Sequence, residues 1–177
     1  ILICSPNNPT GTIFTEDEIR QLGRLAKKHD LFLVADEVYK EFTYDGQKHF
    51  SILELEGMED RVIVMDSISK RYSACGARIG AVISRNAEVM QSIMKFAQAR
   101  LCPATLDQVG ATAAYRLPMD YFKGIKQQYQ ERRQVQDGKQ GRDHEREEPV
   151  HAQRRTGQIQ VRLVEAPLLV LGANAGV

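Results

Sequence analysis

The segment SISKRYSACGARIG at residues 67–80 comes just after the apolar run VIVM at residues 62–65. A short apolar run that ends in a polar loop is typical of a buried strand in an α/β protein. The loop carries a primary amine, a guanidinium and two hydroxyls, which belong to Lys70, Arg78, Ser67 and Ser69. An amine becomes a useful nucleophile when its carbonyl partner is held in place, and hydroxyls with an arginine can hold a phosphate ester. The pattern suggests a Schiff-base lysine beside a phosphate-binding loop, and taken alone it also fits a surface lysine.

Apolar runs alternate with helical patterns on both sides of this segment, which predicts an α/β fold with a largely parallel sheet. The predicted strands are residues 1–4, 31–34, 62–65 and 81–83. The first predicted helix begins after the N-cap Thr15, with a capping box completed by Glu18, and ends at His29 and Asp30. Its apolar face combines Ile19, Leu22, Leu25 and Ala26. Further helices are predicted at residues 87–100, 106–115 and 119–133.

Several polar residues follow the ends of the predicted strands, where ligands bind in open α/β sheets. They are Asn8, Asp36, Tyr39, Ser67, Ser69, Lys70 and Arg78. An aldehyde cofactor with a pyridine ring and a phosphate would use each of them. Asp36 would keep the ring nitrogen protonated, while Asn8 and Tyr39 would hydrogen-bond the ring hydroxyl. The serines and the arginine would bind the phosphate, and the lysine would form the imine and later move the Cα proton of a substrate.

Three motifs in this order, SPNNPTG at residues 5–11, DEVY at residues 36–39 and SISKRYSACGARIG, resemble the class I/II pyridoxal-phosphate aminotransferases. The resemblance is greatest to the bacterial aspartate-aminotransferase-like enzymes and runs from about residue 3 to residue 133. It implies a fold-type-I architecture, with a large domain around a mostly parallel seven-stranded sheet, a small domain, and a homodimer with shared active sites. It also implies pyridoxal 5'-phosphate as cofactor and an amino acid and a 2-oxo acid as substrates, with an aspartate-like substrate favoured.

The resemblance assigns a role to each matching residue. Lys70 matches the Schiff-base lysine and Asp36 matches the partner of the pyridine nitrogen. Tyr39 and Asn8 match the residues that contact the ring hydroxyl. The phosphate-binding set is matched by Ser67, Ser69 and Arg78.

Residues 1–133 are therefore expected to be the C-terminal part of the cofactor-binding large domain, and residues 134–177 an atypical tail in place of the small domain. None of the 12 aromatic residues lies in the tail, and residues 134–160 show no apolar period that would support a helix or a strand. A reading-frame shift or chimeric junction near residue 134 is our preferred explanation. The alternative is a flexible linker before a strand pair at residues 159–164 and 168–171.

Composition excludes several other classes. Lysine and arginine (24) balance aspartate and glutamate (23), so no net field favours nucleic acid or a membrane surface. The three cysteines form no CxxC motif, which favours a reduced, cytoplasmic protein, and the four histidines lack metal-ligand spacing. No apolar run approaches the roughly 20 residues that a membrane-spanning helix needs.

The chain opens on Ile1-Leu2-Ile3, and we expect it to be a fragment. The family's large-domain start is not found in it, and Arg162 does not match the small-domain arginine that grips the substrate carboxylate. Two hypotheses follow: the parent protein is an aminotransferase, with a lyase on the same fold as the runner-up, or this chain is a catalytically inert remnant that at most binds cofactor.

Four residues near the motifs have simpler interpretations. Glu37 and Lys40 are expected to be solvated helix charges, and Arg71 an exposed basic residue. Cys75 is expected to be a packed small residue rather than a redox group.

Overall fold

The structure, a computed structural model, describes residues 1–144 and 169–170 of the 177, with side chains up to residue 136. The described residues fall into two compact units. The first contains residues 1–117 together with 169–170, and the second contains residues 118–144. All candidate site residues belong to the first unit.

The first unit is built on one five-stranded sheet in the order β1 (Leu2–Cys4), β2 (Leu33–Asp36), β3 (Val62–Ser67), β4 (Gly80–Ile83) and β5 (Leu169–Val170). The pairs β1–β2, β2–β3 and β4–β5 are parallel, and β3–β4 is antiparallel. A parallel return needs a long crossover, usually a helix, whereas the segment between β3 and β4 carries only short helical turns. The prediction of a largely parallel sheet is confirmed.

The chain reverses direction between β3 and β4 through the SISKRYSACGARIG segment at residues 67–80. It contains the single-turn helix α2 (Ile68–Arg71) and a 3₁₀ helix at Cys75–Ala77. Ser67 and Gly80 are register partners, so the loop is closed at its base by the sheet. A second hydrophobic cluster of Ile68, Ile79 and Ala111 packs this loop against α4 (Thr105–Tyr115).

Helix α1 (Glu16–Lys28) begins as predicted. The Thr15 hydroxyl accepts from the Glu18 amide at 3.3 Å, and the Glu18 carboxylate accepts from the Thr15 amide at 2.8 Å. Its buried residues are Ile19, Gly23 and Ala26. The prediction that Leu25 is buried is wrong, because this residue lies about 100° around the helix from Ala26 and is 47% exposed.

The main core lies where α1 and residues 52–58 cover one face of β2 and β3. It consists of Ile19, Ala26, Leu33, Ala35, Ile52, Leu55, Met58, Val62 and Val64. Along β3 every second residue is buried, and this alternation continues past Val64 to Asp66. Along β2 the same alternation runs through Leu33 and Ala35 and reaches Glu37 beyond the strand end. Two carboxylates thus occupy inward positions where an apolar residue would continue the pattern.

The remaining helices are α3 (Ala87–Arg100) in the first unit and α5 (Tyr121–His144) in the second. The prediction that no helix extends past residue 133 is wrong, since α5 runs on to His144. Residues 134–144 are rich in polar helix formers, which can extend a helix without an apolar face. The strand predicted at residues 168–171 is present as β5, which pairs with β4, whereas its expected partner at residues 159–164 lies outside the described residues. The domain boundary at residue 133 remains a prediction.

None of the helices in the described part of the chain is long and apolar enough to cross a bilayer.

Candidate active site

The loop between β3 and β4 begins with two linked hydroxyls. Ser67 caps α2, and its Oγ accepts from the Ser69 amide at 3.1 Å. The same oxygen lies 2.8 Å from Ser69 Oγ and donates to the carbonyl of Ile79 at 2.9 Å. These bonds join the start of the loop to its end, so both serines lie close to the backbone that carries Arg78.

Arg78 adopts the left-handed conformation, with φ +55° and ψ +40°, immediately after the 3₁₀ helix. This conformation is uncommon for a residue other than glycine. Its Nη1 donates to the carbonyl of Cys75 at 3.1 Å, and the side chain is exposed. Arg78 borders an open cavity of about 270 Å³ that Arg100 and residues 101–104 also line. The exposed guanidinium is therefore accessible to an anion from solvent.

Three residues from separate segments meet beside this loop. Asn8 Nδ2 donates to the hydroxyl of Tyr39 at 3.3 Å, and Lys70 Nζ lies 6.0 Å from the centre of the Tyr39 ring. Asn8 follows β1, Tyr39 follows β2 and Lys70 follows β3, so each is delivered by the end of its strand. The structure brings these three predicted residues together.

Asp36 is the last residue of β2, with Cys4 and Met65 as its register partners on the two sides. Its Oδ1 accepts from the Val38 amide at 3.1 Å. Burial raises the pKa of the Asp36 carboxyl above its usual range, opposed by the Val38 bond and reinforced by the negative charges of Asp66 and Glu37. A carboxylate in this position is stabilised by a cation beside it, and a protonated ring nitrogen is such a cation.

Sequence reasoning missed a buried cluster of charges behind Lys70. We call Asp66, Arg71, Glu41 and Lys40 the ion cluster. Arg71 Nη2 donates to both carboxylate oxygens of Asp66, at 3.1 and 2.8 Å, and its Nε lies 3.1 Å from Glu41 Oε2. Lys40 Nζ completes the cluster 3.5 Å from Asp66 Oδ2.

The ion cluster corrects two expectations. Arg71 was expected to be exposed, but only 5% of its surface is accessible, and Lys40 is half-buried rather than solvated. Burial acts against the charged guanidinium, but Asp66 and Glu41 outweigh it and the pKa of Arg71 is raised. Burial also raises the pKa of Glu41, although Arg71 opposes the shift. The alternation along β3, extended to Asp66, is the sequence signal that could have identified this cluster.

Arg71 also contacts two aromatic rings. Its guanidinium carbon lies 5.9 Å from the ring centre of Tyr72 and 5.6 Å from that of Tyr115, at the end of α4. Burial, with a smaller contribution from Asp66, raises the pKa of Tyr115 to about 12. Tyr115 is thus a neutral ring that packs on the cation.

The prediction that Glu37 is solvated is also wrong, since it is only 1% exposed. Its carboxylate accepts from the Ser51 hydroxyl at 2.8 and 2.9 Å and from the Ile52 amide at 3.0 Å, and it lies 3.1 Å from His49 Nε2. These contacts hold the DEVY segment against residues 49–52. Cys75, expected to be packed, is exposed.

The described residues contain no group of three or more His, Cys, Asp or Glu side chains placed to hold a metal ion. They do fit an aldehyde cofactor that is anionic at one end and cationic at its ring nitrogen. Lys70 supplies an accessible amine, Asp36 a carboxylate that needs a cation, and the loop of Ser67, Ser69 and Arg78 supplies two hydroxyls and a guanidinium.

Comparison with known proteins agrees with this chemistry. The family model of aminotransferase class I and II matches residues 1–139. The putative aminotransferase YugH of Bacillus subtilis is 36% identical over 137 residues, which cover 76% of this chain and 35% of that protein. The aspartate aminotransferase of the same organism is 33% identical over 134 residues, or 75% of this chain and 34% of the relative.

Solved structures give the same result. The aromatic aminotransferase of Pyrococcus horikoshii superposes with a TM-score of 0.71 at 31% identity, covering 76% of this chain and 36% of that one. The fold is therefore an incomplete fold-type-I α/β domain. The chain belongs to the class I and II aminotransferase family, and this membership points to pyridoxal phosphate as the cofactor. It spans about a third of the length of the relatives it matches.

Proposed function

We propose that the protein to which this chain belongs is a pyridoxal-phosphate-dependent aminotransferase that moves an amino group between an amino acid and a 2-oxo acid. The observation that carries the proposal is the meeting of Asn8, Tyr39 and Lys70 at the ends of three successive strands of the sheet. A ring with a hydroxyl and an aldehyde needs an amide, a phenol and an amine in this kind of proximity.

Each candidate residue has a role in holding the cofactor. Ser67, Ser69 and Arg78 bind the phosphate, since hydroxyls and a guanidinium on one loop provide charge-assisted hydrogen bonds. Asp36 pairs with the protonated ring nitrogen, and this pairing offsets the cost of its burial. Asn8 and Tyr39 bind the ring hydroxyl. When bound, pyridoxal phosphate supplies an electron sink for the negative charge left at a substrate carbon that loses a proton.

Lys70 has two tasks in this proposal. Its primary amine attaches the cofactor, and its accessible position lets the same amine act as the base that takes a proton from the substrate Cα. The amine lies beside the Asn8–Tyr39 pair at the strand ends, 6.0 Å from the centre of the Tyr39 ring. Positioning of this kind supplies a large part of an enzyme's rate acceleration.

An aspartate-like amino acid is the substrate that we favour. Several relatives are aspartate aminotransferases, at 31–37% identity, although others act on aromatic amino acids or on kynurenine by name. A lyase on the same fold is the alternative, because proton removal by Lys70 would begin either reaction. Formation of 2-oxo acid and amino acid in equal amounts from the full-length protein would support transamination, whereas release of ammonia would support the lyase.

We further propose a cytoplasmic homodimer, with residues 1–133 forming part of the large domain. Exposed apolar side chains on α3 and α4 and between them support a surface that is covered in the complete protein. They include Phe96, Leu101, Leu106 and Val109, which are 64–86% exposed. The chain of 177 residues is expected to hold cofactor without completing a turnover.

A trapping experiment tests the cofactor assignment directly. The chain is incubated with pyridoxal phosphate, reduced with borohydride, digested and analysed by mass spectrometry. Label on the peptide that contains Lys70 is expected, with none in a Lys70→Arg variant and full labelling in a Lys95→Arg control on the exposed surface of α3. Label spread evenly over surface lysines would contradict the assignment.

A further inference from the structure

Lys70 and Tyr39 do little to hold each other in place. Lys70 is exposed, Tyr39 is partly exposed, and the contact between them is a loose 6.0 Å from Nζ to the ring centre. Each is nevertheless followed in sequence by a member of the ion cluster. Arg71 follows Lys70, and Lys40 and Glu41 follow Tyr39.

The ion cluster joins the two segments that carry these residues. Arg71, the last residue of α2, contacts Asp66 at the end of β3 and Glu41 in the turns that follow β2. Lys40 contacts Asp66 from the same turns. The backbone there forms tight turns, because the Lys40 amide donates to the backbone carbonyl of Glu37 at 3.0 Å and the Phe42 amide donates to the backbone carbonyl of Tyr39 at 2.8 Å. A shift of Arg71 relative to Glu41 would therefore move Lys70 relative to Tyr39.

We propose that Arg71 is a positioning residue that sets the Lys70 amine against Tyr39 by tying α2 to the turns after β2 through Asp66 and Glu41. The inference rests on the proposed function in taking Lys70 as the reactive amine. It adds a residue that touches neither cofactor nor substrate and acts through its neighbour in sequence.

The energetics indicate that the ion cluster fixes the position of Arg71 more than it stabilises the fold. A buried ion pair gives up so much hydration that its net contribution to folding is often small, whereas its geometry is strongly fixed once formed. Arg71 donates to both Asp66 oxygens from one nitrogen, Nη2, and the two side chains are 6% and 3% exposed. Its contact with Glu41 is an ion pair at 3.1 Å without hydrogen-bond geometry. The packing of Tyr115 on the guanidinium adds a third restraint, from α4, and Tyr72 at the end of α2 lies against the same guanidinium. Arg71 is thus held from three elements, while Lys70 beside it remains accessible.

The test uses variants that keep the cluster balanced in charge. Arg71→Met combined with Glu41→Gln removes one positive and one negative charge and leaves the Asp66–Lys40 pair intact. Arg24→Met combined with Glu56→Gln is the matched control, because both of these residues are exposed and outside the cluster.

Three measurements are made on the 177-residue chain. The first is the share of pyridoxal phosphate label trapped by borohydride on Lys70, and the second is the urea midpoint of unfolding. The third is hydrogen–deuterium exchange of residues 37–44 and 67–74 without cofactor. We expect borohydride to trap roughly tenfold less label on Lys70 in the Arg71→Met/Glu41→Gln variant than in wild type. Backbone amides in both segments should also exchange faster in this variant. The urea midpoint should fall below that of the control, because the buried Asp66 carboxylate keeps only Lys40 as a cationic partner. The variant should stay folded under the labelling conditions, and exchange should increase less in β2 and β3 than in the two segments.

The outcomes separate this inference from the proposed function. If the wild-type chain shows no Lys70 label, the cofactor assignment fails, and exchange in the two segments still decides whether the ion cluster holds them together. Unchanged exchange overturns the positioning role. Unchanged Lys70 labelling in a variant whose exchange has increased overturns it as well, and labelling lost in proportion to the urea midpoint would show a purely structural role.

Discussion

Ser67 and Gly80 lie opposite each other in the antiparallel pair β3–β4, and the loop between them carries both Lys70 and Arg78. The sheet therefore closes the base of the loop, and the Ser67 hydroxyl closes it once more through the Ile79 carbonyl. Lys70 near the start of the loop and Arg78 near its end are therefore held at the same end of the sheet. An amine and a guanidinium are thus carried on one short loop without a long crossover.

The Ser67→Ala variant tests this closure. It removes the bond to the Ile79 carbonyl, which keeps the Ile68 amide as a donor at 3.3 Å, and it removes the cap of α2. Together these losses should lower the free energy of unfolding by about 1–2 kcal/mol. Under the proposed phosphate role of Ser67, the variant should also bind pyridoxal phosphate roughly tenfold more weakly. Urea denaturation and titration of the cofactor absorbance measure the two effects. Ser92→Ala, on the exposed surface of α3, is the control and should change neither.

The site motifs could be predicted from sequence because they follow the ends of apolar runs. Asn8, Asp36, Tyr39 and Lys70 each come a few residues after such a run, and parallel strands place those ends along one edge. The antiparallel direction of β4 could not be predicted in this way, because an apolar run carries no direction. The antiparallel direction of β4 follows from the short segment between β3 and β4, which contains no crossover helix of the kind that a parallel return needs.

The buried charges were missed because only apolar residues were used to judge burial. The alternation of β3 reaches Asp66, and that of β2 reaches Glu37, yet each predicted strand stopped before them. A charge at an inward position requires a partner in three dimensions, and Arg71 and His49 could not be paired with these carboxylates from sequence alone. Extending the alternation of each strand by one more inward position would have indicated that Asp66 and Glu37 are buried.

Glu37→Gln should destabilise the protein markedly. The carboxylate accepts bonds from Ser51 and Ile52 and lies beside His49, and an amide offers one acceptor oxygen where there were two. We expect the free energy of unfolding to fall by about 2–3 kcal/mol, as for loss of charged, buried hydrogen bonds. Glu56→Gln, an exposed residue, should have no measurable effect. Equal urea midpoints for the two variants would show that the Glu37 contacts are dispensable.

Thr15→Ala should remove the N-cap of α1 and cost about 1 kcal/mol. Bonds from the Thr15 backbone and hydroxyl lower the pKa of Glu18, so this stabilisation is present above the ordinary glutamate range and is lost as the pH falls through the lowered pKa. The variant keeps the backbone bond to Glu18, so only the part of this stabilisation that comes from the hydroxyl separates it from wild type. That difference should shrink slightly in acid. Urea midpoints at neutral and acidic pH measure it. Thr112→Ala, at an exposed helical position, should give no such pH dependence.

Asp36→Asn should separate stability from cofactor binding. Burial raises the pKa of Asp36, so the folded state holds its proton more tightly than the unfolded chain does. Without cofactor, the free energy of unfolding should therefore fall as the pH rises from the pKa of Asp36 in the unfolded chain through its raised pKa in the folded protein. The reason is that burial opposes ionisation of the carboxyl only in the folded state. An asparagine can still accept the bond from the Val38 amide but carries no charge. We therefore expect the variant to be at least as stable as wild type at pH 7, and to lack the decline between acidic and neutral pH.

The same substitution should weaken the cofactor complex, because an amide cannot neutralise a protonated ring nitrogen. Urea midpoints from acidic to neutral pH, and a titration with pyridoxal phosphate at pH 7, test the two halves. Asp60→Asn, an exposed residue, should leave both unchanged. A variant that is less stable than wild type at pH 7 would show that the carboxylate already has a compensating partner in the protein. Unaltered cofactor affinity would remove Asp36 from the ring-nitrogen role, since nothing else about its position requires a negative charge.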